Sequence, residues 1–125
     1  MILKLQQTIY NHLNQKKFTD QLKGIYYQVP SNSSFPYIYI GDFNAKDIST
    51  KDRQLAEITF KINIYLRDKN LRVMLELSSE IAQELKTWET IFIKALEEKL
   101  ILQSDGITQQ IIMLFKAKLG EEYYV

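Results

Sequence analysis

From Ile58 to Leu66 every second residue is apolar: Ile58, Phe60, Ile62, Ile64 and Leu66 alternate with Thr59, Lys61, Asn63 and Tyr65, behind Glu57. A period of two is the mark of a strand with one face on a core. The pattern predicts a long strand over residues 55–67, roughly 40 Å at about 3.3 Å per residue. The run Phe35-Pro-Tyr-Ile-Tyr-Ile-Gly-Asp42 predicts a strand over 36–41, with Pro36 in a first position that need not donate to a ladder. Between them the polar segment Asp42–Arg53 reads as a loop.

Elsewhere the period changes. Ile2, Leu5, Ile9 and Leu13 recur at helical spacing and predict an amphipathic helix over 2–15. Thr19 or Asp20 is placed to cap a short second turn, with Gly24 just past its end. Ile25–Val29 reads as a strand and 30–34 as a loop. Leu71, Met74, Ser78, Ile81, Ala82 and Leu85 share a helical face, with Asn70 as a cap. Residues 90–102 fit two periods. Phe92, Leu96 and Leu100 are spaced by four, while Ile91, Ile93 and Ala95 alternate. Asp105-Gly106 decides between them, because Asp-Gly between β-rich runs is a strong hairpin signal and a hairpin needs a strand on each side. The stretch 91–102 is therefore read as mainly extended. Ile111, Met113, Phe115, Ala117 and Leu119 alternate with Ile112, Leu114, Lys116 and Lys118 in a last strand.

The predicted order is αβββαββ, with a short helical turn after the first helix. The fold class is α+β, a mainly antiparallel sheet of about five strands with two helices on one face, in one domain over 1–125. The four glycines have structural places in this reading: Gly24 ends a helical turn, Gly41 a strand and Gly120 the last strand, and Gly106 makes the hairpin.

Composition narrows the function classes. The chain of 125 residues is 46% apolar and 25% charged, ordinary globular material. Sixteen basic and 15 acidic residues give a net charge of +1, without the basic excess of a general nucleic-acid binder. With no cysteine there is no disulfide, thiolate metal site or cysteine nucleophile. The longest apolar run, Ile111–Phe115, is far short of the ~20 residues that cross a bilayer, and no signal peptide is read at the N-terminus. No membrane partner is expected.

Candidate chemistry is sparse. The lone histidine, His12, reads as a partly exposed helix residue, and a metal site needs more ligands than it offers. Asp42, Asp47 and Asp52 lack the glycine turn of a calcium loop. Neighbouring carboxylates such as Glu97-Glu98 point to opposite faces of a strand. No cofactor, metal or catalytic residue is expected, and the chain is read as not an enzyme.

What remains is surface. Tyr37, Tyr39 and Tyr65 fall on the sheet face away from the core, where aromatics are typical of interfaces; rings packed on neighbouring strands with the hydroxyl in water are the plain alternative. Ile112 and Leu114 make the last strand apolar on both sides, which calls for cover by the domain or by another subunit. The segment Asp42–Arg53, with Lys46, Lys51 and Arg53, is expected to order on contact with a partner; a mobile surface loop is the plain alternative.

The whole series resembles a known family, the bacteriophage or prophage tail-completion or tail-terminator proteins of long non-contractile tails, found also in gene transfer agents. The resemblance is carried by the helix Leu5–Leu13, Asp20-Gln-Leu22, Gly24-Ile-Tyr26, Val29-Pro30 and Phe35–Gly41. It continues through Glu57–Leu66, Leu71–Leu85, the hairpin Leu102–Gln109 and the strand Ile111–Leu119. It implies a structural virion-assembly subunit that closes into a homo-oligomeric ring, a hexamer. That ring would stop tube growth and present the head–tail joining surface. Its partners would be copies of itself, the tail tube protein and the head–tail connector protein, with no specific nucleic acid. It would be cytoplasmic during assembly and part of the virion tail afterwards. Tyr37, Tyr39, Lys46, Lys51, Arg53, Tyr65, Ile112 and Leu114 are the expected interface with neighbouring subunits or tube, and the strands Glu57–Tyr65 and 111–119 the expected ring contact. Two other readings stay open: a protein- or RNA-binding module using the aromatic sheet face, and a small enzyme using the 42–53 loop.

Overall fold

The computed structural model describes residues 2–67, 71–88 and 91–121. Its elements run α1 (Ile2–Leu13), α2 (Lys16–Thr19), β1 (Gly24–Tyr26), β2 (Tyr37–Asp47), β3 (Ala56–Arg67), α3 (Leu71–Lys86), β4 (Phe92–Leu102) and β5 (Thr108–Leu119). The five strands form one sheet in the order β1-β2-β3-β5-β4. Every neighbouring pair is antiparallel except β1–β2. The connection 27–36 is long enough to return past a three-residue strand, so β1 lies parallel to β2. This is the expected α+β fold.

One sheet face is the core face. Ile58, Phe60, Ile62, Ile64 and Leu66 of β3 are fully buried there beside Ile111, Met113, Phe115 and Ala117 of β5. Leu5, Ile9 and Leu13 of α1 and Met74, Leu77, Ile81 and Leu85 of α3 cover them in the same cluster. Phe60 stacks between Phe43 and Phe115, with ring centroids 5.6 and 5.4 Å away. A polar clamp joins the helices: Glu84 of α3 accepts from Gln15 Nε2 at 3.0 Å and from Lys17 Nζ at 3.1 Å. Those two donors hold the Glu84 carboxyl below its ordinary range. His12 packs its ring on Trp88 at 4.1 Å, the partly exposed helix position expected of it.

Several expectations are corrected. Thr19 and Asp20 close the short turn instead of opening it, because Asp20 is the C-cap of α2. Gly24 does not end a helix; it opens β1, where an added Cβ would sit 2.1 Å from the Tyr26 hydroxyl. Gly41 does not end a strand either. It lies within β2 beneath the Tyr39 ring, whose hydroxyl is 2.3 Å from where a Cβ would stand. The strand predicted over 25–29 is shorter, Gly24–Tyr26. The Asn70 cap lies outside the described residues.

The largest correction concerns Asp42–Arg53. A bulge between Gly41 and Asn44, with Asp42 at φ 55°, lets β2 continue to Asp47 along β3. The extra residue shifts the alternation, so Phe43 and Ala45 turn to the core where Ile38 and Ile40 had been. Only the hairpin tip 48–55 remains outside the strands. It is tied by Ile48 N–H to Leu55 C=O at 3.0 Å, Thr50 N–H to Arg53 C=O at 2.9 Å, and the Ser49 hydroxyl to Leu55. The segment therefore has its own backbone partners within the chain, and its first part, to Asp47, is strand where a loop was expected.

Candidate functional site

The helices cover one side of the sheet only, and the register maps the other side row by row. At one end Tyr37, Tyr65, Gln110 and Ile101 lie abreast; the next row is Tyr39, Asn63, Ile112 and Lys99. Then come Gly41, Lys61, Leu114 and Glu97, followed by Asn44, Thr59, Lys116 and Lys94. The far row is Lys46, Glu57, Lys118 and Phe92. The structure thus brings Tyr37, Tyr39, Tyr65, Ile112 and Leu114 together on one uncovered face. Lys46 stands at its opposite end, and Lys51 and Arg53 lie beyond, on the exposed hairpin tip. The eight expected interface residues form two groups, an aromatic–apolar face and a basic tip.

The aromatic end is preorganised. Tyr37 stacks on Tyr65 at 5.1 Å, meets Phe35 at 5.3 Å and takes the Tyr26 ring edge-on at 5.9 Å. Arg67 lies over Phe35 at 4.4 Å, donates through Nε to Thr108 Oγ1 at 2.9 Å, and sits 3.5 Å from Asp105. Desolvation raises the hydroxyl pKa of both Tyr37 and Tyr65 above the ordinary tyrosine range, so both stay neutral at any physiological pH. A relay of amides crosses the middle of the face. Gln103 donates to Gln110, Gln110 Nε2 to Asn63 Oδ1 at 3.0 Å, and Asn63 Nδ2 to Tyr39 C=O at 3.1 Å. These rings are spent on one another and over Gly24 and Gly41. That arrangement holds the rings as one packed aromatic patch.

Asp105 fixes the β4–β5 turn at this end. It accepts from the N–H groups of Ile107 and Thr108 and from the Thr108 hydroxyl, the last at 2.6 Å. These bonds, the hydroxyl's foremost, bring its carboxyl pKa down to about 2. Gly106 supplies the left-handed turn residue at φ 74°.

A second surface was missed by sequence reasoning. β4 is an edge strand, paired with β5 on one side only. Ile93 is its one buried position. Phe92 is 68% exposed and Leu102 60%, Leu96, Leu100 and Ile101 are about half exposed, and Ile107 in the adjoining turn is 55% exposed. The signal was present: a run apolar on both faces, here because a bulge between Ala95 and Glu97 changes the alternation. Among the described residues no three His, Cys, Asp or Glu side chains converge to hold a metal ion, and no helix is long and apolar enough to cross a membrane.

A family model described as tail completion protein gp17 matches residues 7–101. The chain belongs to the tail completion protein gp17 family. Membership makes it a structural protein of virion assembly, as the resemblance of its elements implied. No curated protein matches the chain. Among solved structures, a chain of one titled "Virion of native gene transfer agent (GTA) particle" shares the fold, with a TM-score of 0.73 over 90% of this chain and 91% of that one. Identity to it is 14%, so the likeness is one of fold.

Proposed function

We propose that this protein completes a phage-type tail by closing as a homo-hexameric ring on the tube end and presenting the surface to which the head connector joins. The observation that carries this reading is the uncovered sheet face. In a member of a tail completion family, a sheet face of Tyr37, Tyr39, Tyr65, Ile112 and Leu114, each half-buried, lies opposite the helix-covered core and carries no helix among the described residues. Aromatic and aliphatic side chains gathered on a rigid sheet are the composition of a protein contact. Copies of this chain, the tube protein and the connector protein are its partners, and its work is contact without catalysis. Lys46 at the end of β2, with Lys51 and Arg53 on the hairpin tip, reaches the tube. The protein is made in the cytoplasm and ends in the virion tail.

The expected ring contact through β3 and the last strand changes in kind. Both strands are paired on each side within the sheet, so they contribute outer-face side chains and no free ladder.

The test is the native mass of the purified protein across concentration, alone and with tube protein. A closed hexamer, formed alone or on contact with tube, supports the reading. A monomer indifferent to tube protein overturns it.

A further inference from the structure

We infer that the free edge of β4 is where the next copy of the chain docks, its β1-side flank against the β4 edge of its neighbour. This rests on the ring reading above and assigns the subunit contact to residues outside the eight first singled out.

Natural edge strands are kept from pairing by shortness, proline, inward charges or cover. β1, at the other edge of the sheet, is only three residues long. β4 has 11 residues and no proline, and among the described residues no strand pairs with its outer side. Its row of unpaired N–H and C=O groups is bordered by Phe92, Leu96, Leu100, Ile101 and Leu102, with Ile107 at the turn. Together these expose on the order of 500 Å² of apolar surface, toward the upper end of what a monomer carries. With the peptide edge and flanking charges included, that approaches the ~800 Å² per partner of a stable interface.

Charge names the occupant. The first 36 residues, which form α1, α2 and β1, hold four lysines against Asp20 alone. Residues 71–102, which hold α3 and β4, carry six glutamates against four cations. Lys17 and Glu84 already pair within one chain at 3.1 Å, which leaves a basic excess of two on the first range and an acidic excess of one on the second for a neighbouring copy to bring together. Polarity agrees: β1 runs with β2 and β5, opposite to β3 and β4, so a β1 edge rotated into place beside β4 meets it antiparallel. Two different patches in contact make a head-to-tail interface, the kind that closes into rings.

The experiment compares three proteins by sedimentation velocity at low and high salt, alone and with tube protein. They are the wild type, Leu100→Lys/Leu102→Lys on the β4 edge, and Tyr37→Ser/Ile112→Ser on the uncovered face. Circular dichroism confirms that each variant is folded; Leu100 and Leu102 are 47% and 60% exposed, and Tyr37 and Ile112 are half-buried. The β4 variant should self-associate at least about 30-fold more weakly than the wild type, as for loss of a hot spot. Wild-type association should weaken with salt. A wild-type oligomer that survives the β4 substitutions unchanged overturns the inference and leaves the ring reading standing. A wild type that stays monomeric under every condition overturns both. If the β4 variant assembles normally but loses tube protein, the occupant is the tube subunit and the inference fails.

Discussion

β3 and β4 are nearly equal in length, 12 and 11 residues, and both carry many aliphatic side chains. Their fates are opposite. β3 lies between β2 and β5, beneath both long helices, and six of its apolar side chains have almost no exposure. β4 has one strand neighbour and one buried residue. The same kind of sequence becomes core or exposed surface according to how many sides of it the chain itself can cover. The lesson is that an apolar strand left uncovered in a well-packed domain points outward, to another molecule.

The sharpest way to break that comparison is through the aromatic stack. Phe60→Ala should destabilise the fold by about 3–5 kcal/mol, since it opens a gap between Phe43 and Phe115, and denaturant unfolding will measure it. Next come matched truncations. Ile62→Ala should cost roughly 2–5 kcal/mol. Leu100→Ala, measured under dilute conditions that favour single subunits, should stay within about 0.5 kcal/mol of wild type. Equal costs would show that β4 is as much part of the core as β3.

A smaller effect is expected on the uncovered face. Gly41→Ala must push the Tyr39 ring off its present rotamer, at about 1 kcal/mol, with a thermal melt as the readout. An unchanged melting temperature would mean that the ring moves freely and is not part of a fixed surface.

The smallest concerns pH. The folded-state pKa of Asp105 is lowered from 3.8 to about 2, so its stabilisation is complete above the unfolded value and is lost as pH falls toward 2. Wild-type stability should therefore drop over that window by slightly more than that of Asp105→Asn, which keeps a carbonyl acceptor but has no proton to gain. Identical acid profiles would remove Asp105 from the account.

How much of this was legible depended on whether one residue's pattern depended on another's. The alternation in β3 belongs to a strand with a single buried face, and α1 and α3 each show one apolar stripe, so all three could be read locally. The strand assignment of 91–102 was reached through Asp105-Gly106, and the structure agrees. The β2 extension was hidden because Asp42, Asn44, Lys46 and Asp47 are polar and the bulge shifts their phase; only pairing with Ala56–Thr59 makes them a strand. Tyr37, Tyr39 and Tyr65 were placed on the correct face because parity alone fixes that. That β4 is apolar on both faces was visible in the sequence, but not that those residues are exposed, since sheet order and no residue within the strand decides which strand ends at an edge.

The rows of the uncovered face have a consequence once copies are related by rotation. Each subunit runs from tyrosines at one end to Lys46, Lys94, Lys116 and Lys118 at the other. Around an axis parallel to the strands, every copy repeats that gradient in the same sense. In the proposed ring a modest asymmetry within one chain would become two chemically distinct rims, one aromatic and one cationic. Such an annulus has a top and a bottom that a docking particle can tell apart without any further signal.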